Sequence, residues 1–183
     1  SILTAVHELG SNQAKPTIMD MRKMERVLQY LSTHKNYGVR YYASNMQLQG
    51  QSDASYLSRP RAKSVFGGLF YLGCRQAING PIVCTSKMIS CVVASAAEAE
   101  LAAGFQLAQI AVRLRNTLHD FGYPQQPTLL LIDNTVAIGL ANDSINKKRS
   151  KSMDMRFFWL RDRVQQKQFV VEHIPGQFNI ADF

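Results

Sequence analysis

Residues 128–132 read Thr-Leu-Leu-Leu-Ile and stop at Asp133. A run that short and that uniformly apolar has the pattern of a strand buried on both faces, at the centre of a sheet covered by helices. The flanking segments supply such a sheet and its cover. Val39–Tyr42 and Met46–Asp53 predict two strands, Ser64–Gly73 another with a bend at Gly67-Gly68, and 77–87 a hairpin partner entered through a turn at Asn79-Gly80. A long helix is expected over Ser95–Phe121, where Leu101, Phe105, Ala108 and Val112 form one apolar row broadened by Leu107, Ile110, Leu114 and Leu118. A helix beginning near Asn134, a basic helix over 150–167 and a last strand within 168–175 complete the order. Strands, helix, strand, two helices and strand imply a mixed sheet covered by helices. Ahead of it, Met21, Met24, Val27, Leu28 and Leu31 recur at helical spacing and predict an amphipathic helix over Thr17–Ser32. The expected division is 1–37, a helical extension, and 38–183, the sheet domain.

Composition narrows the class. The chain of 183 residues is 46% hydrophobic, enough to fill the core of one ordinary domain. No apolar run approaches the roughly 18–20 residues of a membrane span, and the first ten residues lack the basic lead and apolar stretch of a secretory signal. A start at Ser1 is what a piece of a longer protein would show. Cys74, Cys84 and Cys91 form no metal-ligand spacing, and an odd count fits reduced thiols in an intracellular setting. The net charge is +8, and between Ile145 and Phe169 eight Lys/Arg face two acids. Such a segment is either a solvated helix face or the footprint of a phosphate-backbone binder.

Against that basic background stand Asp53, Glu100, Asp133 and Asp182, in "GQSDASYLSRP", "SAAEAELAAG", "LLLIDNTVAIGLA" and "HIPGQFNIADF". Asp53 and Asp133 each end a predicted strand, so adjacent strands could present both at one sheet edge. Acids so gathered would repel one another unless cations lay between them. Oxygen ligands of this kind suit hard divalent metals, and metal pairs serve phosphodiester hydrolysis. Glu98 and Glu100 compete for one position, because residues two apart on a helix point about 200° apart.

The motifs in series resemble the tail of the reverse transcriptase polyprotein of Ty1/copia-type LTR retrotransposons, the end of the polymerase followed by its ribonuclease H domain. "GQSDASYLSRPRAKSVFGGLFYLG" is similar to the family's GYSDADWAGD…RKSTSGYVF-x-LG, and "SKMISCVVASAAEAELAA" to SKKQ-x-VVALSTAEAEY-x-A. "IDNTVAIGLA" follows DN-x2-AI-x-LA, "KKRSKSMDMRFFWLRDRV" follows R-x-KHIDIRYHFIRE-x-V, and "HIPGQFNIADF" follows VP…Q-x-AD. The N-terminal residues are similar to the polymerase tail, from "AVHELG" to "YGVRY".

The resemblance implies an α/β, ribonuclease H-like mixed five-stranded sheet flanked by helices, with a short N-terminal helical extension. It implies that Asp53, Glu100, Asp133 and Asp182 are catalytic metal ligands, with Glu100 chosen over Glu98 because it precedes the apolar-x-Ala stretch Leu101-Ala102-Ala103. The expected cofactor is Mg²⁺, two ions, with Mn²⁺ as a substitute. The expected reaction is hydrolysis of the RNA strand of an RNA/DNA hybrid. Lys147, Lys148, Arg149, Lys151 and Arg156 would hold the hybrid through phosphates, and Asn134 would touch its backbone or cap the next helix. The expected partner is the polymerase portion of the same polyprotein, with no membrane involved. Two features depart from the family's pattern: Gln177 stands where relatives carry a mobile histidine, and Ser152 replaces the histidine of KHID. The alternative expectation is a module that keeps the fold and binds nucleic acid without turnover.

Overall fold

The computed structural model describes residues 2–59, 61–73, 79–142 and 151–182. They form two compact units, Ser1–Arg40 and Tyr41–Asp182.

The first unit is a pair of helices, α1 (Leu3–Ser11) and α2 (Ile18–Thr33). The start of α2 is fixed by reciprocal capping. The Thr17 N–H donates to Asp20 Oδ2 at 2.8 Å, and the Asp20 N–H donates to Thr17 Oγ1 at 3.3 Å. The Thr17 hydroxyl donates to Asp20 Oδ2 at 2.7 Å and Asn12 Nδ2 to the other Asp20 oxygen at 2.9 Å, and the Thr17 hydroxyl first, then Asn12 and the Thr17 N–H, hold the Asp20 carboxyl down at about 2. Lys23 pairs with Glu8 across the two helices. The apolar row predicted for α2 is present, but Met21, Met24, Leu28 and Leu31 are exposed.

The second unit carries β1 (Leu48–Arg59), β2 (Lys63–Leu72), β3 (Pro81–Met88), α3 (Ala96–Asp120), β4 (Thr128–Ile132), α4 (Thr135–Ala141), α5 (Lys151–Gln165) and β5 (Phe169–His173). They build a mixed five-stranded sheet of order β3-β2-β1-β4-β5. β1, β2 and β3 are antiparallel neighbours, whereas β1, β4 and β5 run parallel. The apolar run 128–132 is β4, second from the edge, with Leu130 and Ile132 wholly buried.

Helix α3 is the main cover. Ser95 caps it, and its buried face is built largely from small residues: Ala99, Ala102, Ala103, Gly104, Ala108 and Ala111. Small residues let the helix lie close to the sheet, with Leu101 and Leu107 filling the space between. Gly50 of β1 belongs to that packing, since a Cβ there would lie 2.8 Å from the ring of the fully buried Phe70 and 3.3 Å from Leu107. Gly50→Val is therefore expected to lower stability by about 2 kcal/mol, read as an earlier midpoint in urea unfolding.

Two local expectations are corrected. Val39–Tyr42 is irregular, because the backbone groups of Tyr42 bond the Asn79 side chain (2.9 and 2.8 Å) and not a neighbouring strand. β1 does not end at Asp53; it continues to Arg59, since β2 goes on pairing through Ala54↔Phe66 and Ser55↔Val65 after β4 has stopped. Gly67-Gly68 does not interrupt the sheet, since the ladders to β1 and β3 run unbroken through both residues. The short 3₁₀ turn Gly176–Phe178 has no counterpart among the expected elements.

Candidate active site

The parallel pairing of β1 with β4 sets the site. Its last pair is Ser52↔Ile132, so Asp53, still on β1, and Asp133, just past the end of β4, come next at the same level on neighbours about 4.8 Å apart. α3 packs against β1 and brings Glu100, in its second turn, to the same place. One carboxylate oxygen from each of Asp53, Glu100 and Asp133 lies within 4.8 Å of the others. Glu98 points elsewhere and closes the start of α3. Its Oε2 accepts from the Ala94 N–H at 2.8 Å, and its own N–H donates to Ser95 Oγ.

The three acids crowd like charge into a poorly solvated place. Glu100 is 6% exposed. Its Oε1 accepts from the Ala54 N–H at 3.1 Å, while its Oε2 is buried with no hydrogen-bond partner. Burial first, then the charges of Asp133 and Asp53, push its carboxyl up to about 8. Burial, with Asp133 and Asp182 beside it, pushes Asp53 up to about 6. An orphaned buried oxygen in an all-carboxylate donor set fits a hard divalent cation, which would satisfy the oxygen and remove the repulsion.

Asp182 is exposed and stands outside the group of three, yet close enough for its charge to act on Asp53. Asn134 caps α4: its Oδ1 accepts from the Ala137 N–H at 3.1 Å. Arg156 donates to Cys91 Sγ and its guanidinium carbon lies 6.0 Å from the centre of the Phe105 ring. Lys147, Lys148 and Arg149 lie outside the described residues, as does the side chain of Lys151. Trp159 packs edge-on against Phe105, with centroids 5.2 Å apart, and Phe157 is buried, so both serve the core; Phe158 is exposed. Among the described residues no helix is long and apolar enough to cross a membrane.

Two buried amides are absent from the sequence-based expectation. Gln51 is 1% and Asn179 5% exposed, and both bond across the gap between β1 and the segment that ends in Asp182. The only sequence signal is the period-two placement of Gln49, Gln51 and Asp53 on one strand face.

No protein-family model matches the chain. It is 29% identical over 157 residues to the "Retrovirus-related Pol polyprotein from transposon TNT 1-94" of Nicotiana tabacum, covering 85% of this chain and 11% of that one. It is 26% identical over 181 residues to the "Retrovirus-related Pol polyprotein from transposon RE1" of Arabidopsis thaliana, covering 97% and 12%. The chain thus spans little more than a tenth of the length of these relatives. Among solved structures, LC11-RNase H1, isolated from compost by a metagenomic approach, superposes with a TM-score of 0.54 at 13% identity, over 75% of this chain and 91% of the other. The PFV RNase H domain gives 0.51 at 16% identity, over 71% and 79%. At such identities the structures speak for the fold. By sequence, then, the chain is similar to a stretch of retrotransposon Pol polyproteins, and its five-stranded sheet and helices have the ribonuclease H fold.

Proposed function

We propose that this domain hydrolyses the RNA strand of RNA/DNA hybrids with divalent metal ions, as the ribonuclease H part of a reverse transcriptase. One observation carries the reading: Asp53, Glu100 and Asp133 converge where the β1–β4 pairing ends, with Glu100 Oε2 left unpartnered. Asp53, Glu100 and Asp133 would hold two Mg²⁺, or Mn²⁺ in their place, with Asp182 as the fourth ligand. Ions there would supply the positive charge that makes water a nucleophile near neutral pH and offsets charge on the leaving 3′-oxygen. The protein's part is to place and prepare the acids. β1 and β4 fix Asp53 and Asp133 by backbone register, and the Ala54 N–H orients Glu100. Burial keeps the local dielectric low, so charges brought there act strongly.

The hybrid would be held through its phosphates by Lys147, Lys148, Arg149, Lys151 and Arg156, with strand choice from 2′-hydroxyl contacts across the minor groove. Residues 1–37 would be the tail of the polymerase thumb or connection, the polymerase portion being the natural partner, in an intracellular or virus-like particle setting. The test is to offer labelled RNA/DNA hybrid, duplex DNA and single-stranded RNA with Mg²⁺. Cutting of the RNA strand in the hybrid alone is expected. Hybrid binding without cutting would replace the enzyme by a non-catalytic binding module.

Replacing Lys147, Lys148 and Arg149 by Ala should weaken hybrid binding and flatten the log–log salt slope by about 0.8 for each phosphate no longer neutralised. Fluorescence anisotropy across a salt series checks this; an unchanged slope would show that these side chains do not meet the duplex.

A further inference from the structure

Asp182 lies in an irregular segment beyond the 3₁₀ turn, and among the described residues its own backbone is anchored by one bond, from its N–H to the Asn179 carbonyl at 3.3 Å. What secures that segment is a pair of buried amides. Asn179 Nδ2 donates to the carbonyl of Ser52, the residue before Asp53, at 3.0 Å. Asn179 Oδ1 accepts from the Ala181 N–H at 3.1 Å, and its own N–H donates to the Gly176 carbonyl at 2.9 Å. From the strand side, Gln51 Oε1 accepts from the Ile180 N–H at 3.0 Å. Beside Gln51 on the same strand, Gln49 is held too: the Tyr71 hydroxyl donates to Gln49 Oε1 at 3.4 Å, and Gln49 Nε2 donates to the Gly73 carbonyl at 2.7 Å. Buried amides cost free energy unless satisfied, and a connected set of them fixes one geometry.

We infer that Gln51 and Asn179 are positioning residues, a two-sided clamp that ties the Asp182 segment to β1 beside Asp53 and so sets how firmly the fourth carboxylate is presented to a divalent ion. This rests on the proposed metal-dependent function. Each amide acts by holding backbone that carries Asp182. The logic is that of an outer partner that orients a ligand, whose loss costs metal affinity while leaving the ligands in place.

The test is Mn²⁺ titration of the nucleic-acid-free protein, followed by EPR of free Mn²⁺, on wild type, Asn179→Ala, Asp182→Asn and the double variant. Asn179→Ala should weaken ion uptake about tenfold, as Asp182→Asn does, and the double variant should be no worse than Asp182→Asn alone. Amide hydrogen exchange of Ile180 and Ala181 should quicken in Asn179→Ala, while Leu130 and Ile132 keep wild-type protection. Should Asn179→Ala fail to fold, Gln51→Leu opens the other side of the clamp and enters the same cycle. A loss of equal size in the Asp182→Asn background would show general damage and overturn the clamp, as would unchanged Mn²⁺ uptake in Asn179→Ala. If wild type takes up no Mn²⁺, the metal-dependent function falls and the clamp's role with it.

Discussion

Asp133→Asn is expected to cut an RNA/DNA hybrid on the order of 10³-fold more slowly than wild type, a loss of about 4 kcal/mol in transition-state stabilisation, and to bind the hybrid as tightly or slightly tighter. The asymmetry comes from where Asp133 sits. It follows the last paired residue of β4, level with Asp53, and shares the three-carboxylate group. Asparagine keeps the size and the strand register but would present a neutral oxygen to a cation and remove one negative charge from a surface proposed to meet phosphates. Single-turnover cleavage and anisotropy, measured on the same preparation, separate the two effects. Cleavage near the wild-type rate would remove Asp133 from the chemistry.

Glu100→Gln is expected to make the metal-free protein more stable at pH 8.5, by a few kcal/mol. Folding raises Glu100 from 4.5 to about 8 and Asp53 from 3.8 to about 6. Between the unfolded and folded values the native state holds protons that the unfolded chain has released, so stability falls as pH rises from about 4 to about 8 and is fully diminished above that. Glutamine can still accept from the Ala54 N–H through its carbonyl oxygen and carries no charge to desolvate. Urea unfolding in EDTA at pH 5 and pH 8.5 should show a marked loss in wild type and a small one in Glu100→Gln. With saturating Mg²⁺ the wild type should recover, because an ion that binds only the native state stabilises it by mass action. A variant no more stable than wild type at pH 8.5 in EDTA would mean that Glu100 is not the strained group described.

Much of the fold is legible in the sequence because some segments allow a single reading. The uniform apolarity of 128–132 demands a buried strand, and Ser95 with Glu98 marks the start of α3. The helix turn then separates Glu98, used for capping, from Glu100 in the site. Where partners are distant in sequence, local pattern is silent or misleading. Val39–Tyr42 has strand composition, but its backbone partner is the Asn79 side chain. Asp53 looks like a strand end because the strand turns polar there; the end belongs to β4, and β1 runs on beside β2. Gln51 and Asn179 have no chemistry in isolation and acquire a role only when two segments about 130 residues apart are brought together. Charge counting groups Arg156 with the basic segment, and only the structure shows that its guanidinium also engages Cys91 and Phe105.

Everything proposed for the chemistry requires the three carboxylates to be one divalent-ion site. Anomalous diffraction from crystals of the protein grown with Mn²⁺ tests that most directly. The predicted result is an anomalous peak bounded by Asp53, Glu100 and Asp133, with Glu100 Oε2 among its ligands, and no peak there in Glu100→Gln crystals grown alike. Ordered carboxylates without a peak between them, or Mn²⁺ bound only elsewhere, would contradict it.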